Sequence, residues 1–247
     1  MRIGILGASG RVGTQLIAVI LANPGLELAA ALVSPSSRLV GTPVAGSGVE
    51  YRAADAAMNS RCDVMIDFST PAASLHLQQQ TAMKSIPMVI GTTGFTTDEE
   101  QQLASFCAYR PMLISANFAR GFEAFKQSAL SFARQMPGGE ARVVETYHAR
   151  KKADPSGTSR LLARLIAEER GRAMGFAAPD VAIDVHREGT VAGNNEVHFD
   201  LGSAEAVFTY RVHTTAAYAE GAIAAAQWLV SKKRPAGRYS LEDSLNG

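Results

Sequence analysis

The sequence predicts an α/β protein in two parts. The first is a parallel sheet with helices on both faces; the second is built on a sheet with two unlike faces. Three observations carry this reading. The chain opens on a short apolar run, residues 3–6, followed by a turn with Gly7, Gly10 and Gly13 and then by Val12, Leu16, Ile17, Ile20 and Leu21 at helical spacing. Apolar runs then alternate with helical stretches as far as about residue 118, the pattern of a parallel sheet with crossover helices. Beyond residue 141 the patterning changes to strict period-two alternation, which marks half-buried strands.

The elements follow in order. Residues 26–33 (LELAAALV) read as a second strand and 64–68 (VMIDF) as a third, ending in Asp67, Phe68, Ser69 and Thr70 before Pro71. A helix is expected from Pro71 to about Met83, then a strand at 87–90, a helix at 98–109 and a strand at 112–115 leading into Ala116, Asn117 and Phe118. In the second part a helix runs from Gly121 to about Met136, where Pro137, Gly138 and Gly139 stop it. Strands are expected at 141–148, 181–187, 195–201 and 206–212, with a helix at 161–169 between the first two and a last helix at 218–231. One face of this second sheet should meet helices; the other, half-polar, is either solvated or an oligomer surface.

Composition narrows the function classes. With 247 residues the chain has room for one large domain or two small ones, and 47% hydrophobic and 19% charged residues match a globular protein. A net charge of +1 without a basic tail gives no electrostatic footprint for nucleic acid or a membrane surface. The apolar run at the N-terminus is too short and glycine-rich for a signal peptide, and no apolar stretch is long enough to span a bilayer. Cys62 and Cys107 form no Cys-x-x-Cys pair, so neither a zinc site nor a redox motif is expected; two thiols suit a reducing cytoplasm.

The glycine turn stands between strand and helix, where a dinucleotide-binding fingerprint belongs. Glycines allow the backbone to approach a diphosphate, and the helix N-terminus favours its charge. The spacing is Gly-x-x-Gly-x-x-Gly, which leaves a plain strand-to-helix turn open as an alternative. In a parallel sheet ligands sit at the carboxyl ends of the strands, where this turn, Asp67 to Ser69, Gly91 to Gly94 and Ala116 to Phe118 all fall. After the second strand there is no carboxylate to bind a ribose 2′-hydroxyl. Ser34, Ser36, Ser37 and Arg38 stand there instead, a set that suits a 2′-phosphate or is an ordinary solvated loop.

Residues 145–159 (ETYHARKKADPSGTS) crowd proton-bearing groups ahead of a tight polar turn. Ser156 or Thr158 is suited to cap the following helix, whose N–H groups would hold a carboxylate with Lys151, Lys152 and Arg150 nearby. Tyr147 and His148 are near enough to pass that ligand a proton. The basic neighbours are expected to lower the pKa of Tyr147. A routine helix cap in a solvated basic loop is the alternative.

Taken together, Gly7 to Gly13, Ile66 to Ser69, Gly91 to Phe95, Ala116 to Phe118, Pro155 to Thr158, Arg187 to Gly189 and Gly221 with Ala222 resemble the dihydrodipicolinate reductase (4-hydroxy-tetrahydrodipicolinate reductase) family nearly end to end. The resemblance implies a Rossmann-like dinucleotide-binding domain, residues 1–118 with 214–247, and an α+β domain with a mixed sheet, residues 119–213, for substrate binding and oligomerisation. It implies an NAD(P)H-dependent oxidoreductase of lysine and diaminopimelate biosynthesis, cytoplasmic and homotetrameric, acting on a small cyclic dicarboxylate. NADPH is expected to be preferred over NADH. Cofactor contacts are expected at Gly7, Gly10, Arg11, Val12, Ser34, Arg38, Phe68, Ser69, Gly91, Thr93, Ala116, Asn117 and Phe118. Substrate contacts are expected at His148, Ser156, Gly157 and Thr158, with Tyr147, His148 and Lys151 as catalytic residues and no metal.

The chain departs from the family pattern on the substrate side. The family motif reads Glu-x-His-His-x-x-Lys-x-Asp-Ala-Pro-Ser-Gly-Thr; this chain has Tyr147 at the first His, the family's usual proton donor, and Ala153 with Asp154 in inverted order. It carries Asn195 in a segment where the family usually has His, and Thr214 to Ala217 supply no Arg ahead of Tyr218. Beside the family reaction, two other functions therefore stand open: a reductase of another cyclic imine or enamine acid, and a nucleotide-binding paralogue without catalysis.

Overall fold

A computed structural model describes residues 1–54, 61–81 and 85–246. Along the chain the elements are β1 (Arg2–Leu6), α1 (Arg11–Leu21), β2 (Glu27–Val33), β3 (Tyr51–Ala53), β4 (Val64–Asp67), α2 (Pro71–Thr81), β5 (Met88–Ile90), α3 (Thr97–Ser105), β6 (Pro111–Ile114), α4 (Phe122–Gln135), β7 (Glu140–Tyr147), α5 (Gly157–Met174), β8 (Ala182–Arg187), β9 (Gly193–Asp200), β10 (Glu205–Val212), α6 (Ala216–Ser231), β11 (Gly237–Tyr239) and α7 (Leu241–Asn246). They divide into two compact units, Met1–Ala119 with Thr215–Gly247, and Arg120–Thr214.

The first unit holds a seven-stranded sheet in the order β11-β6-β5-β4-β1-β2-β3, parallel throughout. Its central strands are buried on both faces, and alternation decides which residue meets which helix layer. Ile3, Ile5, Val64, Ile66, Val89 and Leu113 pack with Leu16, Ile17 and Ile20 of α1 and with Ala222, Ile223, Ala226 and Leu229 of α6. Leu6, Met65, Met88, Ile90 and Met112 point the other way, to Leu75 and Leu77 of α2 and Leu103 of α3. Helix α3 starts on a capping box in which Thr96 accepts from the Glu99 N–H and the Glu99 side chain accepts from the Thr96 N–H.

Here the structure corrects the expected element list. The helix at 218–231 begins at Ala216 and is not the last, because β11 and α7 follow it. Strands β3 (YRA) and β11 (GRY) escape the sequence pattern because three residues are too few to show a period of two and, unlike β5 (MVI), neither is an apolar run. The helix expected at 98–109 is α3 plus a 3₁₀ turn, Phe106–Ala108. That expected from Pro71 to about Met83 is α2, described as Pro71–Thr81; Met83 lies outside the described residues, as does Gly247.

The second unit is a mixed four-stranded sheet, β10-β9-β7-β8, in which β7 and β8 are parallel and the other neighbours antiparallel. One face is covered by α4 and α5: Phe122, Ala129, Leu130, Leu162, Ala163 and Ile166 pack on Ala141, Val143, Val197 and Phe199. Phe132 lies 4.9 Å from Phe199, ring to ring. The other face is polar. His198 bonds Glu196 and Glu205, each at 2.9 Å, and Arg142 reaches Glu205 at 3.8 Å. Helix α5, expected at 161–169, is longer at both ends: Ser156 caps it at the start and Gly175, at φ +78°, ends it in the left-handed region open to glycine.

Candidate active site

In the first unit the parallel sheet brings the carboxyl ends of β1, β4, β5 and β6 to one edge. The turn after β1 is tight enough to require its glycines. Gly7 has φ +84°, and a side chain there would lie 2.4 Å from the Phe68 carbonyl oxygen; one on Gly13 would lie 2.1 Å from that of Gly7. The turn is tied to β2 by the N–H groups of Gly7 and Ala8, which both donate to the Leu32 carbonyl. Helix α1 then starts with Gly10 at its N-cap, no side-chain capping bond and no acidic residue in its first turn. A helix start without an acidic residue of its own, and a glycine backbone that gives a diphosphate close approach, fit a dinucleotide.

The neighbouring turns are locked together by Asp67, which is fully buried. One oxygen of its carboxyl accepts from the Ser69 N–H at 3.0 Å, the Ser69 hydroxyl at 2.6 Å and the Thr92 hydroxyl at 2.8 Å, while its carbonyl accepts from the Gly91 N–H. Burial pushes the Asp67 carboxyl up, against the hydrogen bonds from Ser69 and Thr92. The Phe68 ring fills the space a side chain on Gly91 would need, 2.3 Å away, and meets Phe118 edge-on at 5.7 Å. Gly221 of α6 passes so close that a side chain there would lie 1.7 Å from the Phe118 carbonyl oxygen. Asn117, buried beside it, accepts from the Ala119 N–H at 2.9 Å. Gly7, Gly10, Arg11, Val12, Phe68, Ser69, Gly91, Thr93, Ala116, Asn117 and Phe118 thus share one sheet edge. Ser34 and Arg38 are exposed on the loop after the adjacent strand β2, where the Ser34 and Ser36 hydroxyls bond at 2.9 Å.

In the second unit the stretch 145–159 runs from the end of β7 into α5. The cap is Ser156, whose hydroxyl accepts from the Ser159 N–H at 3.2 Å. Gly157 and Thr158 open the first turn. Glu145, on the buried face of β7, lies beneath this turn: it accepts from the Ser156 N–H at 3.0 Å and from the Ser159 hydroxyl, and pairs with Arg187 at 2.7 Å. Arg187 also donates to the carbonyls of Lys152 at 2.8 Å and Asp154 at 2.9 Å, so one guanidinium fastens the loop to the strand. Burial, the largest influence on Glu145, opposes its charge. The bonds from Ser156, Ser159 and Arg187 more than offset it and hold the carboxyl below its usual range.

Tyr147 is almost fully buried, and its hydroxyl donates to Asn195 Oδ1 at 3.2 Å. Asn195 Nδ2 in turn reaches the Ser159 hydroxyl at 3.2 Å, joining the tyrosine to the Glu145 network. The expectation that basic neighbours lower the Tyr147 pKa is corrected: it is raised. Burial is the largest influence and the Glu145 charge adds to it, outweighing the polar partners around the hydroxyl, Ser156 first. Arg150 and Lys152 are exposed. Lys151 comes close, but its Nζ lies over the ring face, 3.4 Å from the centroid. A tight turn brings it there, with the Lys151 N–H donating to the His148 carbonyl at 3.0 Å. His148 itself is half-buried.

Glu145 and Ser159 carried no role in the sequence reading, and Asp67 only a place in one of the strand-end turns. A signal existed for Glu145: it stands between Val143 and Tyr147 in a period-two strand, a carboxylate at an inward position. Its partner Arg187 is visible only in the fold, because β8 pairs with β7 after the whole of α5 has intervened.

Comparison with known proteins gives a consistent picture. The family model described as "Dihydrodipicolinate reductase, N-terminus" matches residues 1–118, and that described as "Dihydrodipicolinate reductase, C-terminus" matches residues 121–245. A 4-hydroxy-tetrahydrodipicolinate reductase of Methanocorpusculum labreanum is 31% identical over 253 residues, covering 99% of both chains. One of Psychrobacter arcticus is 32% identical over 266 residues, covering 99% of this chain and 95% of its own. Among solved structures, dipicolinate-bound dihydrodipicolinate reductase from Paenisporosarcina sp. TG-14 shares the fold with a TM-score of 0.72 at 20% identity, covering 98% of each chain.

Proposed function

The chain belongs to the dihydrodipicolinate reductase family and is an NAD(P)H-dependent oxidoreductase, and we propose that it reduces 4-hydroxy-tetrahydrodipicolinate in lysine and diaminopimelate biosynthesis. What supports this is the helix start in the second unit, capped by Ser156 with Lys151 on the same loop, in a chain matched over its full length by proteins named as reductases of that substrate.

The first unit's residues hold the cofactor. The backbone of Gly7, Gly10, Arg11 and Val12 receives the diphosphate. Phe68, Ser69, Gly91, Thr93, Ala116, Asn117 and Phe118 surround the nicotinamide, with the Asp67 bonds to Ser69 and Thr92 keeping two of these turns in place. When bound, the nicotinamide supplies a hydride. NADPH is the preferred form, because the exposed loop after β2 offers Arg38 and Ser34 and no carboxylate.

On the substrate side, Lys151 and the N–H groups of Gly157 and Thr158 hold a carboxylate, with the Ser156 cap fixing the turn. Reduction of the unsaturated ring also needs a proton. Tyr147 is a poor donor, since its hydroxyl is buried, raised in pKa and already donating to Asn195. His148, one residue on and half-buried, takes this role: an imidazole is the side chain whose ordinary pKa lies nearest neutrality.

Among the described residues no helix is long and apolar enough to cross a membrane. We place the enzyme in the cytoplasm as a homotetramer, assembled through the open face of the second sheet that carries Arg142, Glu196, His198 and Glu205. The deciding experiment follows NADPH and NADH oxidation with enzymatically generated 4-hydroxy-tetrahydrodipicolinate beside a panel of cyclic imino acids. Turnover confined to another imino acid would replace the substrate; no turnover with any would leave a paralogue without catalysis.

A further inference from the structure

We propose that the aromatic ring of Tyr147 is a seat for the Lys151 ammonium, which makes Tyr147 a positioning residue that presents Lys151 to the substrate carboxylate. The inference rests on the reading of Lys151 as the carboxylate-binding residue. A lysine head on a four-carbon stem is mobile, and fixing it before the ligand arrives opposes its rotamer entropy. In this protein the Lys151 Nζ stands 3.4 Å from the Tyr147 ring centroid, well inside the range of a cation–π attraction.

The seat is rigid for reasons independent of the lysine. Tyr147 ends β7, its carbonyl accepts from the Glu188 N–H at 2.7 Å, and its ring is almost fully buried. Its hydroxyl bond to Asn195 continues through Ser159 to Glu145 and Arg187, so turning the ring would break a chain of buried bonds. The four-residue turn from His148 to Lys151 folds the lysine back over that ring. A charge-assisted bond to an incoming carboxylate is a stronger contact than a cation–π attraction to a neutral phenol, so the ligand can draw the ammonium from the ring.

The test is calorimetric binding of dipicolinate to the NADPH-saturated full-length protein, comparing Tyr147→Phe, Tyr147→Leu and pentafluorophenylalanine at position 147, each with Lys151 and with Lys151→Ala. Phenylalanine keeps the ring, and affinity should stay within about threefold of the parent. Leucine should weaken binding by about tenfold. The fluorinated ring, equal in shape but reversed in charge distribution, should weaken it similarly and covers the case in which the leucine variant does not fold. In the Lys151→Ala background all three should be alike within about twofold, because a seat without its lysine has no effect. If the leucine and fluorinated variants lose as much affinity without Lys151 as with it, or lose none with it, Tyr147 is not the seat while Lys151 keeps its role. If Lys151→Ala spares dipicolinate, the carboxylate reading of Lys151 fails and the seat with it.

Discussion

The Tyr147 hydroxyl donates to Asn195 Oδ1 at 3.2 Å. The two residues lie 48 residues apart in sequence yet in one buried network. They form a neutral donor–acceptor pair, and the proton on Tyr147 is engaged rather than poised for transfer.

Tyr147→Phe should therefore leave kcat within about threefold of the parent, whereas loss of a positioned acid costs about 10²–10⁴. Leaving Asn195 Oδ1 without its donor should lower stability by about 1–2 kcal/mol, read as a lower midpoint in urea. A collapse in kcat with unchanged stability would restore Tyr147 as the acid.

Lys151→Ala should raise KM, or lower kcat/KM, by at least about tenfold, the equivalent of about 1.4 kcal/mol of lost binding. NADPH affinity, measured by fluorescence titration, should be unchanged. The reverse pattern, cofactor weakened and substrate spared, would show that the anion site has been assigned to the wrong ligand.

Arg38→Ala should weaken NADPH by roughly tenfold or more, since a charge-assisted contact to phosphate is worth about 1.5–3 kcal/mol. NADH should bind almost as before. Equal losses for the two cofactors would assign Arg38 to something they share.

Glu145 makes stability depend on pH in a defined direction. Its folded pKa is lowered, so its contribution is fully present above the unfolded carboxyl range, about 4.3, and is lost as pH falls below that through the folded value. Glu145→Gln should cost about 3 kcal/mol at pH 7, because Arg187 is left largely buried beside a neutral partner. The thermal midpoints of variant and parent should draw together as pH falls below about 4. A gap that stays constant down to pH 3 would mean that the Glu145 charge contributes nothing.

Much of the first unit was legible in the sequence because its signals are local. A glycine turn between an apolar run and an amphipathic helix, repeated strand-end turns and a chain of period-matched elements need no long-range information. Strands β3 (YRA) and β11 (GRY) were not legible, since neither is an apolar run and both pair by virtue of neighbours already in place. The capping serine of α5 was one of two candidates, and only the helix start at Gly157 selected Ser156.

The sequence by itself determined the α/β alternation, the family motifs and the presence of a basic, polar loop ahead of a capped helix. What each group in that loop does was decided by tertiary structure. Count and proximity along the chain suggested that Arg150, Lys151 and Lys152 would lower the Tyr147 pKa. Burial of β7 instead raises it and places Glu145 beneath the loop; of those three cations Lys151 stands over the ring, where the Arg187 guanidinium also lies 5.8 Å from the centroid. Ionisation responds to solvent exposure and to charges near in space, and both are set by which strand pairs with which: β8 brings Arg187 to Glu145, and β9 brings Asn195 to Tyr147.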